Sequence, residues 1–167
     1  MEHKTYKLND GREIHIRETQ PSDKDQLELF YDSLSEGALR WITPMSSDEM
    51  WQRFRYPDYF IGLVIVHDDR VVGYGEITKD AERYYGELNI HINQDYQGVG
   101  LGTSMMIMLV KEATDQLLHG VNLSVAAENR KAVHLFRKFG FQEQRTTLEL
   151  YHGEKHDTLH MSKVLNR

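Results

Sequence analysis

Hydrophobic and polar residues alternate in some stretches of the chain and follow a helical spacing in others. Residues 13–17 alternate Ile14 and Ile16 with polar neighbours, which predicts a half-buried strand. The next stretch contains Ser22 and Asp23, residue types that favour a helix start, and its apolar residues then recur at helical spacing. These apolar residues are Leu27, Phe30, Tyr31 and Leu34. A strand is therefore expected to lead into an amphipathic helix.

Three stretches with the character of strands lie near the middle of the chain. Residues 60–66 and 71–78 are apolar and rich in β-branched side chains, and the polar segment 67–70 between them is typical of a tight hairpin turn. Residues 84–92 alternate Leu88, Ile90 and Ile92 with polar neighbours. The three stretches together predict an antiparallel meander.

The second half of the chain begins with a glycine-containing loop at residues 97–102. A long helix with Met105 and Leu109 on its apolar face is expected to follow and to end near Gly120. Residues 121–126 have the pattern of a strand. A helix is then predicted from Asn129 through Phe139, with Gly140 as its stop. Residues 146–151 and 158–165 are expected to form a closing hairpin about residues 152–155.

This order of elements indicates the class of fold. Passages from strand through helix to strand favour parallel neighbours, whereas hairpins favour antiparallel ones. We therefore predict one α/β (α+β) domain over residues 1–167, with a mixed sheet and helices packed on it. The length of 167 residues lies within the range of a single domain.

An aromatic-rich region between residues 35 and 59 has no clear period. A short helix is expected after Ser46 and Ser47. The four prominent aromatic residues of the region are Trp41, Trp51, Tyr56 and Tyr59. They could line a substrate pocket, but clustered aromatic side chains are more often part of a core, which is the interpretation we favour.

Composition and charge exclude several functional classes. The chain has no cysteine, which excludes disulfides, thiolate zinc sites and a cysteine nucleophile. Its formal net charge of -6 disfavours binding along nucleic-acid phosphates and is compatible with a cationic substrate. No apolar stretch is long enough to span a bilayer. We expect a cytoplasmic protein without nucleic-acid or membrane partners.

The loop at residues 97–102 carries the strongest chemical signal. Gly98, Gly100 and Gly102 lie between a predicted strand and a predicted helix, where they bring main-chain N–H groups close to an anion. The start of the helix adds unpaired N–H groups and a favourable dipole. The spacing is neither a GxxxxGK[ST] phosphate loop nor a GxGxxG fingerprint. A pyrophosphate fits the loop, and a simple tight turn is the alternative.

At these residues the chain resembles the GCN5-related N-acetyltransferase (GNAT) family. Gln97, Gly100 and Gly102 match the family motif [QR]xxGx[GA], and Asp95-Tyr96 before them is also similar to many members. Residues 129–141 resemble the family segment NxxAxxLYxKxGF. Residues 151–161 at the end of the chain are similar as well. The resemblance covers nearly the whole chain.

The resemblance implies a GNAT fold, in which a largely antiparallel sheet with helices on both faces splays open beside the strand that precedes the glycine loop. Acetyl-CoA would bind in that opening as cosubstrate, with its pantetheine arm against one strand and its pyrophosphate in the loop. The implied cofactor contacts are the main chain of Ile90, His91 and Ile92, the loop residues Gln97, Gly98, Val99, Gly100, Leu101, Gly102 and Thr103, and Asn129. A helix N-cap is the alternative role for Asn129.

The resemblance also implies transfer of an acetyl group to a primary amine, a reaction that needs a base. Glu87, on the strand before the loop, is the leading candidate, and an ordinary polar strand residue is the alternative interpretation. His91 is a second candidate base, and the main chain of His91 or Ile92 could bind the oxyanion. Phe136 stands where the family often has a Tyr that protonates the leaving thiolate. Water or one of four side chains could replace it, namely Tyr84, Tyr96, Tyr151 and His134.

The acceptor amine is not specified by these motifs. Residues 34–41 partly resemble a segment of the Pat-type protein-lysine acetyltransferases, which makes protein lysine one option. Small amines and protein N-termini are others. An acyl-CoA-sensing module without turnover is the alternative function, because Phe136 removes the usual proton donor. A homodimer is expected through sheet edges or aromatic patches.

A spacing of four residues separates His152, His156 and His160, which would align them on a helix as zinc ligands are aligned. Gly153 and the strand-like flanks favour a hairpin instead. We therefore predict no metal site.

Overall fold

The computed structural model describes residues 3–165, which form one eight-stranded sheet with helices on both of its faces. The strands are β1 (Lys4–Lys7), β2 (Glu13–Glu18), β3 (Phe60–His67), β4 (Arg70–Lys79), β5 (Tyr85–Ile92), β6 (Gly120–Ala126), β7 (Gln142–Tyr151) and β8 (Glu154–Val164). The α-helices are α1 (Lys24–Asp32), α2 (Glu36–Leu39), α3 (Ser47–Arg55), α4 (Leu101–Asp115) and α5 (Arg130–Lys138). The strand order is β1-β2-β3-β4-β5-β6-β8-β7.

The sheet is mixed and opens near its middle, as the sequence and its family resemblance predicted. The described neighbours pair antiparallel except for β5 and β6, which pair in parallel. This parallel pairing joins Tyr85 to Gly120, Gly86 to Val121 and Glu87 to Asn122. Beyond Glu87, the remainder of β5 pairs with β4 but not with β6. The two strands therefore diverge toward their C-terminal ends.

Each face of the sheet is covered by its own helices. Helices α4 and α5 contribute Met105, Leu109 and Phe136 to the larger core, which also contains Ile77 and Leu88 from the sheet. On the opposite face, α1 and α3 pack over β3 and β4. The side chains buried there include Leu27, Phe30, Met50, Val64 and Tyr74. The second face is left uncovered by helices over much of β5, β6, β8 and β7.

The sequence located most elements but misplaced some of their ends. Strand β1 and helix α2 were not predicted. Helix α4 begins at Leu101, within the predicted loop, and it ends at Asp115 rather than near Gly120. Leu117 has a φ of 66°, a left-handed conformation that terminates the helix, and Gly120 already belongs to β6.

The interpretation of the aromatic region as core was wrong for three of its four residues. Trp51, Tyr56 and Tyr59 are exposed by 52%, 53% and 37%. Trp41 packs edge-on against Tyr151 at 5.2 Å between ring centroids. Sequence clustering could not distinguish an exposed aromatic surface from a core, because α3, which carries Trp51 and ends next to Tyr56, buries only Met50.

Among the described residues, no helix has the length and apolar content needed to cross a membrane.

Candidate functional site

A cleft of about 620 Å³ fills the opening between β5 and β6, and we call it the interstrand cleft. Its walls are residues 88–92 of β5 and residues 123–126 of β6. The glycine loop and the first turn of α4 form one end, and α5 lies along the β6 side. Trp41 and Tyr151 also line the cleft. The family resemblance predicted such an opening at this place.

The β5 wall of the cleft offers unpaired main chain. Ile90 and Ile92 are in register with β4 on one side, with Gly75 and Gly73 as partners. On the other side the described chain provides no strand partner beyond Glu87. An extended ligand can therefore hydrogen-bond to this strand as a neighbouring strand would. This geometry supports the main-chain roles predicted for Ile90 and Ile92, whereas His91 directs its main-chain groups toward Tyr74 of β4.

The glycine loop has a backbone that only glycine adopts easily. Gly98 and Gly100 have φ angles of 75° and 86°, and a Cβ at either position would meet no atom within 4 Å. The loop is therefore open on its outer side. The amide side chain of Gln97 donates to the carbonyl of Ile92 at 3.0 Å, which fixes the loop to the end of β5.

Helix α4 begins directly at this loop. Its first main-chain N–H groups, at Leu101, Gly102 and Thr103, have no partners within the helix and are directed outward. Leu101 is buried, whereas Val99 is 43% exposed. The loop and helix start together form an anion site suited to a pyrophosphate.

Asn129 precedes α5 at the β6 side of the cleft. Its side chain makes no capping hydrogen bond to the helix, although its main-chain carbonyl accepts from Val133 at 3.0 Å. It also lines the cleft. The side-chain amide is thus free of the N-cap role that was its alternative interpretation, which supports a contact with the cofactor.

A second cavity of about 630 Å³ lies on the uncovered face of the sheet, and we call it the open-face groove. Strand register explains which side chains meet there, because residues paired across a sheet point to the same face. Glu87 pairs with Asn122, and Ser124 pairs with His160, which in turn pairs with Arg145. Asn122 and Ser124 are two residues apart on β6 and share a face. Five strands therefore contribute to one groove.

Glu87 is placed in the groove rather than in the cleft. Its carboxylate is exposed and lies beside Asn122, at the last position where β5 and β6 are paired. Among residues 3–165, neither Glu87 nor Arg145 has an ion-pair partner. The groove therefore presents the carboxylate of Glu87 and the guanidinium of Arg145, neither of them in an ion pair, to an incoming molecule.

His91 lines the cleft but is held in a different way. Its Nδ1 atom lies 3.0 Å from the hydroxyl of Tyr31, and burial lowers the pKa of His91 to about 4. Burial also raises the pKa of Tyr31, so the phenol remains protonated and donates to the imidazole. His91 is therefore neutral at pH 7, and its Nδ1 already accepts a hydrogen bond from Tyr31. These two features make His91 a weak base.

The side chains considered as substitutes for the missing Tyr differ in position. Phe136 lines the cleft and packs against Phe141 at 5.8 Å. Tyr96, Tyr151 and His134 also line the cleft, whereas Tyr84 stacks on His119 at 5.0 Å, away from it. The Tyr151 hydroxyl lies 2.7 Å from that of Thr158.

Leu123 and Ser124 line both cavities, so the cleft and the groove meet at this part of β6. The hydroxyl oxygen of Ser124 lies 3.0 Å from Nδ1 of His160. Sequence reasoning did not single out Ser124. The alternation of Asn122 and Ser124 with buried neighbours marks a polar face of β6, but the partner strand that carries His160 could not be derived from the sequence.

The three histidines spaced by four residues do not converge. His152 contacts the carbonyl oxygens of Leu39 and Ile42 at 2.8 and 3.0 Å. His156 lies 3.0 Å from a carboxylate oxygen of Glu128, and that hydrogen bond raises the pKa of the imidazole. His160 faces the groove. Each imidazole therefore has separate protein partners, as expected for a hairpin.

These features describe an opened sheet whose cleft offers unpaired main chain and an anion site, beside a second groove on the same sheet. The family follows from comparison with known proteins. The Acetyltransferase (GNAT) family model matches residues 25–141, which is more than half of the chain. The chain belongs to this family. It is an acetyl-CoA-dependent N-acetyltransferase, with acetyl-CoA as its cosubstrate.

Individual relatives agree with this assignment. The N-terminal acetyltransferase B complex catalytic subunit NAA20 of Arabidopsis thaliana is 30% identical over 118 residues, which cover 68% of this chain and 66% of that protein. The L-amino acid N-acetyltransferase AaaT of Escherichia coli is 24% identical over 91% of this chain and 98% of its own. The crystal structure of a GNAT-family acetyltransferase from Streptococcus pneumoniae superposes with a TM-score of 0.80, at 25% identity, over 92% of this chain and 99% of that chain.

Proposed function

We propose that the protein transfers the acetyl group of acetyl-CoA to a primary amine by direct attack within a ternary complex. The observation that carries this proposal is the junction of the interstrand cleft and the open-face groove at Leu123 and Ser124. Two adjoining cavities allow both substrates to be bound when the new bond forms. The absence of cysteine from the sequence removes the usual thiol acyl carrier.

Glu87 is the proposed base for the incoming ammonium group. Its carboxylate lies in the groove at the closed end of the opening, with no competing ion pair among the described residues. The occupied and weakly basic imidazole of His91 makes that residue the second choice. The unpaired main-chain N–H of Ile92 is the proposed donor to the oxyanion, because the main chain of His91 is directed toward Tyr74 of β4.

The proposed acceptor is the α-amine of an amino acid or of an N-terminal residue. The two relatives described above are named for N-terminal and L-amino acid acetylation. The groove also offers Glu87 to an ammonium group and Arg145 to a carboxylate. Protein lysine, suggested by the partial Pat-type resemblance of residues 34–41, is the second candidate.

A homodimer and a cytoplasmic location stay predictions. The edge strand β7 supports the former, because Leu148 and Leu150 on it are exposed by 63% and 67%.

Thiol release from acetyl-CoA across a panel of amines tests the proposal. The panel contains L-amino acids, their amides, short peptides with a free N-terminus, a lysine derivative with a blocked α-amine, and spermidine. Amine-dependent release with an intersecting initial-rate pattern is expected for direct attack in a ternary complex. Parallel lines in the double-reciprocal plots of initial rate would indicate an acetylated enzyme intermediate instead. Binding of acetyl-CoA without amine-dependent release would contradict the proposal and favour the sensor alternative.

A further inference from the structure

Ser124 occupies the boundary between the two cavities. It lies two residues beyond Asn122, the last β6 residue that pairs with β5. Since a strand rises about 3.3 Å per residue, Ser124 lies about 7 Å from the closed end of the opening. A cofactor whose phosphates sit at the glycine loop enters this opening from its wide end. Its thioester must therefore lie toward the closed end, where Ser124 forms part of the wall.

A chain of polar side chains leads away from Ser124 across β8 and β7. His160 lies between two hydroxyl groups, with Nδ1 at 3.0 Å from Ser124 Oγ and Nε2 at 2.7 Å from Thr147 Oγ1. Thr147 Oγ1 in turn donates to Glu149 Oε1 at 2.8 Å. The four side chains form a continuous path of hydrogen bonds along the uncovered face.

The direction of these hydrogen bonds follows from the carboxylate at the end of the path. Ionised Glu149 can only accept hydrogen bonds, so the Thr147 hydroxyl donates its single proton to Glu149. The Thr147 oxygen must then accept from Nε2–H of His160. This assigns the neutral tautomer with a free lone pair on Nδ1, which accepts the proton of Ser124. Ser124 is thus coupled to a base through its own hydroxyl.

Acetyl transfer to a neutral amine requires one proton to leave nitrogen and one to reach sulfur. Phe136 cannot supply the second proton. Tyr151 lines the cleft, but its hydroxyl is paired with Thr158. Ser124 differs from these residues because it faces both the acceptor groove and the cofactor cleft and has a base directly behind it.

We propose that Ser124 and His160 form a shuttle that carries one proton from the attacking nitrogen to the leaving sulfur, an inference that rests on the proposed function. The amine nitrogen bonds to the acetyl carbon and its N–H proton passes to Ser124 Oγ, while the Ser124 proton passes to Nδ1 of His160. The C–S bond then breaks with its electron pair on sulfur. The proton returns from Nδ1 through Ser124 to that sulfur, and both side chains end as they began.

In this scheme Glu87 first removes the proton that makes the acceptor an ammonium ion. The Ser124–His160 shuttle then transfers the remaining proton of the neutral amine, so Glu87 and the shuttle have separate tasks. Ser124 is the catalytic residue because it touches the reacting atoms, and His160 is a positioning residue that acts through it. The charged groups that line the same groove or path are Lys79 on β4, Asp80 directly after it, Glu87 on β5, and Arg145 and Glu149 on β7. Glu149 and Thr147 hold the imidazole in the tautomer that can accept.

Substitution of the serine tests the shuttle. Ser124→Ala should lower kcat by about a hundredfold, the lower end of the range for a positioned acid or base. Ser124→Thr keeps a hydroxyl on a strand position and should recover most of the turnover. The melting temperature and the acetyl-CoA Kd should change little in either variant. The matched control is Thr5→Ala, because Thr5 Oγ1 lies at the same 3.0 Å from Nδ1 of His15, on β1 and β2 far from the site.

Substitution of the histidine tests whether it works through Ser124. His160→Gln should lower kcat by a similar factor. The double variant of Ser124→Ala and His160→Gln should be no slower than either single variant, because residues that act as a unit are not additive. Multiplied losses in the double variant, or wild-type turnover in His160→Gln, would overturn the shuttle.

Two further measurements do not depend on turnover. Nitrogen NMR of the free protein should show His160 protonated at Nε2, and this tautomer preference should weaken in Ser124→Ala. Mass spectrometry after incubation with acetyl-CoA alone should show no acetylated Ser124, since an acetyl-serine would make it a nucleophile rather than a shuttle.

Wild-type turnover retained in Ser124→Ala would also refute the inference while leaving the proposed function intact. A wild type that turns over no amine would refute the proposed function, whatever the NMR shows.

Discussion

The interstrand cleft and the open-face groove meet at two residues, yet the chain builds them differently. The cleft draws most of its predicted contacts from one continuous stretch, residues 88–103, and many of them are main-chain groups. The groove is assembled from side chains on five strands between Thr78 and Ser162. The cleft therefore depends on backbone conformation, whereas the groove depends on sheet register and on individual side chains. In the proposed function, binding of acetyl-CoA belongs to the first kind of site, and acceptor choice and chemistry belong to the second.

This contrast predicts that groove variants change turnover without changing acetyl-CoA affinity. Glu87→Gln keeps the shape of the side chain but removes the carboxylate, so kcat should fall by about a hundredfold to ten-thousandfold. The loss should shrink as pH rises toward the pKa of the amine, because more acceptor arrives already deprotonated. Rates measured across pH, together with calorimetry for acetyl-CoA, check this prediction.

The matched control for Glu87 is Glu82→Gln, an exposed carboxylate in the turn between β4 and β5, outside the residues that line the groove. It should keep wild-type rates throughout the profile. If Glu87→Gln also kept them, Glu87 would be an ordinary strand residue, and His91 or a solvent route would become the better account of the base.

The same contrast predicts that changes in the glycine loop weaken the cofactor complex while the fold persists. Gly100 has a φ of 86° and room for a side chain, so Gly100→Asp brings a negative charge toward the pyrophosphate. The Kd for acetyl-CoA should rise by about a hundredfold, since like charges near a protein surface repel by a few kcal/mol at contact distance. Isothermal titration and the acetyl-CoA-induced melting shift measure this.

Gly100→Asn is the matched control for the charge. Asn has nearly the same shape as Asp and tolerates the left-handed conformation, but it is neutral. Its Kd should lie between those of the wild type and Gly100→Asp. Equal affinity in the Asp variant and the wild type would place the pyrophosphate elsewhere.

The difference between the two regions also explains what the sequence could predict. The meander, the loop and the helix start at Leu101 are local features, so spacing and residue type identified them within a few positions. Glu87 and Asn129 were proposed through the family resemblance, and their roles stay predictions. The hydrogen bond between Ser124 and His160 joins residues 36 positions apart, and it exists only because β6 and β8 pair in one register. No local pattern contains that information.

The exposed aromatic surface was missed for a related reason. Trp51 and Tyr56 have the residue types of a core, but their burial depends on which face of α3 meets the sheet. That helix turns Met50 inward and anchors itself through Arg53, whose guanidinium binds Glu76 at 2.9 Å. A buried ion pair therefore replaces part of the apolar contact that composition alone would suggest.

The last predicted effect is on stability rather than on turnover or binding. It concerns His91, which belongs to β5 and lines the cleft but has a side chain that stays neutral. Its pKa is about 4 in the folded protein and 6.5 when unperturbed, because burial disfavours the imidazolium. As pH falls from 6.5 toward 4, the unfolded chain binds a proton that the folded protein does not, so the free energy of unfolding decreases. The loss approaches about 3 kcal/mol and ends near the folded pKa, below which both states are protonated.

Denaturant unfolding of the wild type and His91→Gln between these pH values measures this contribution. The variant removes the titrating group, so its stability should decline less steeply with acid, while His3→Gln, at an exposed position near the N-terminus, should keep the wild-type slope. Equal slopes for wild type and His91→Gln would mean that His91 titrates normally in the fold. In that case the hydrogen bond from Tyr31 would not keep the imidazole of His91 neutral. His91 would then be basic enough near pH 7 to compete with Glu87 as the base, and the separation between a binding cleft and a chemical groove would fail at this residue.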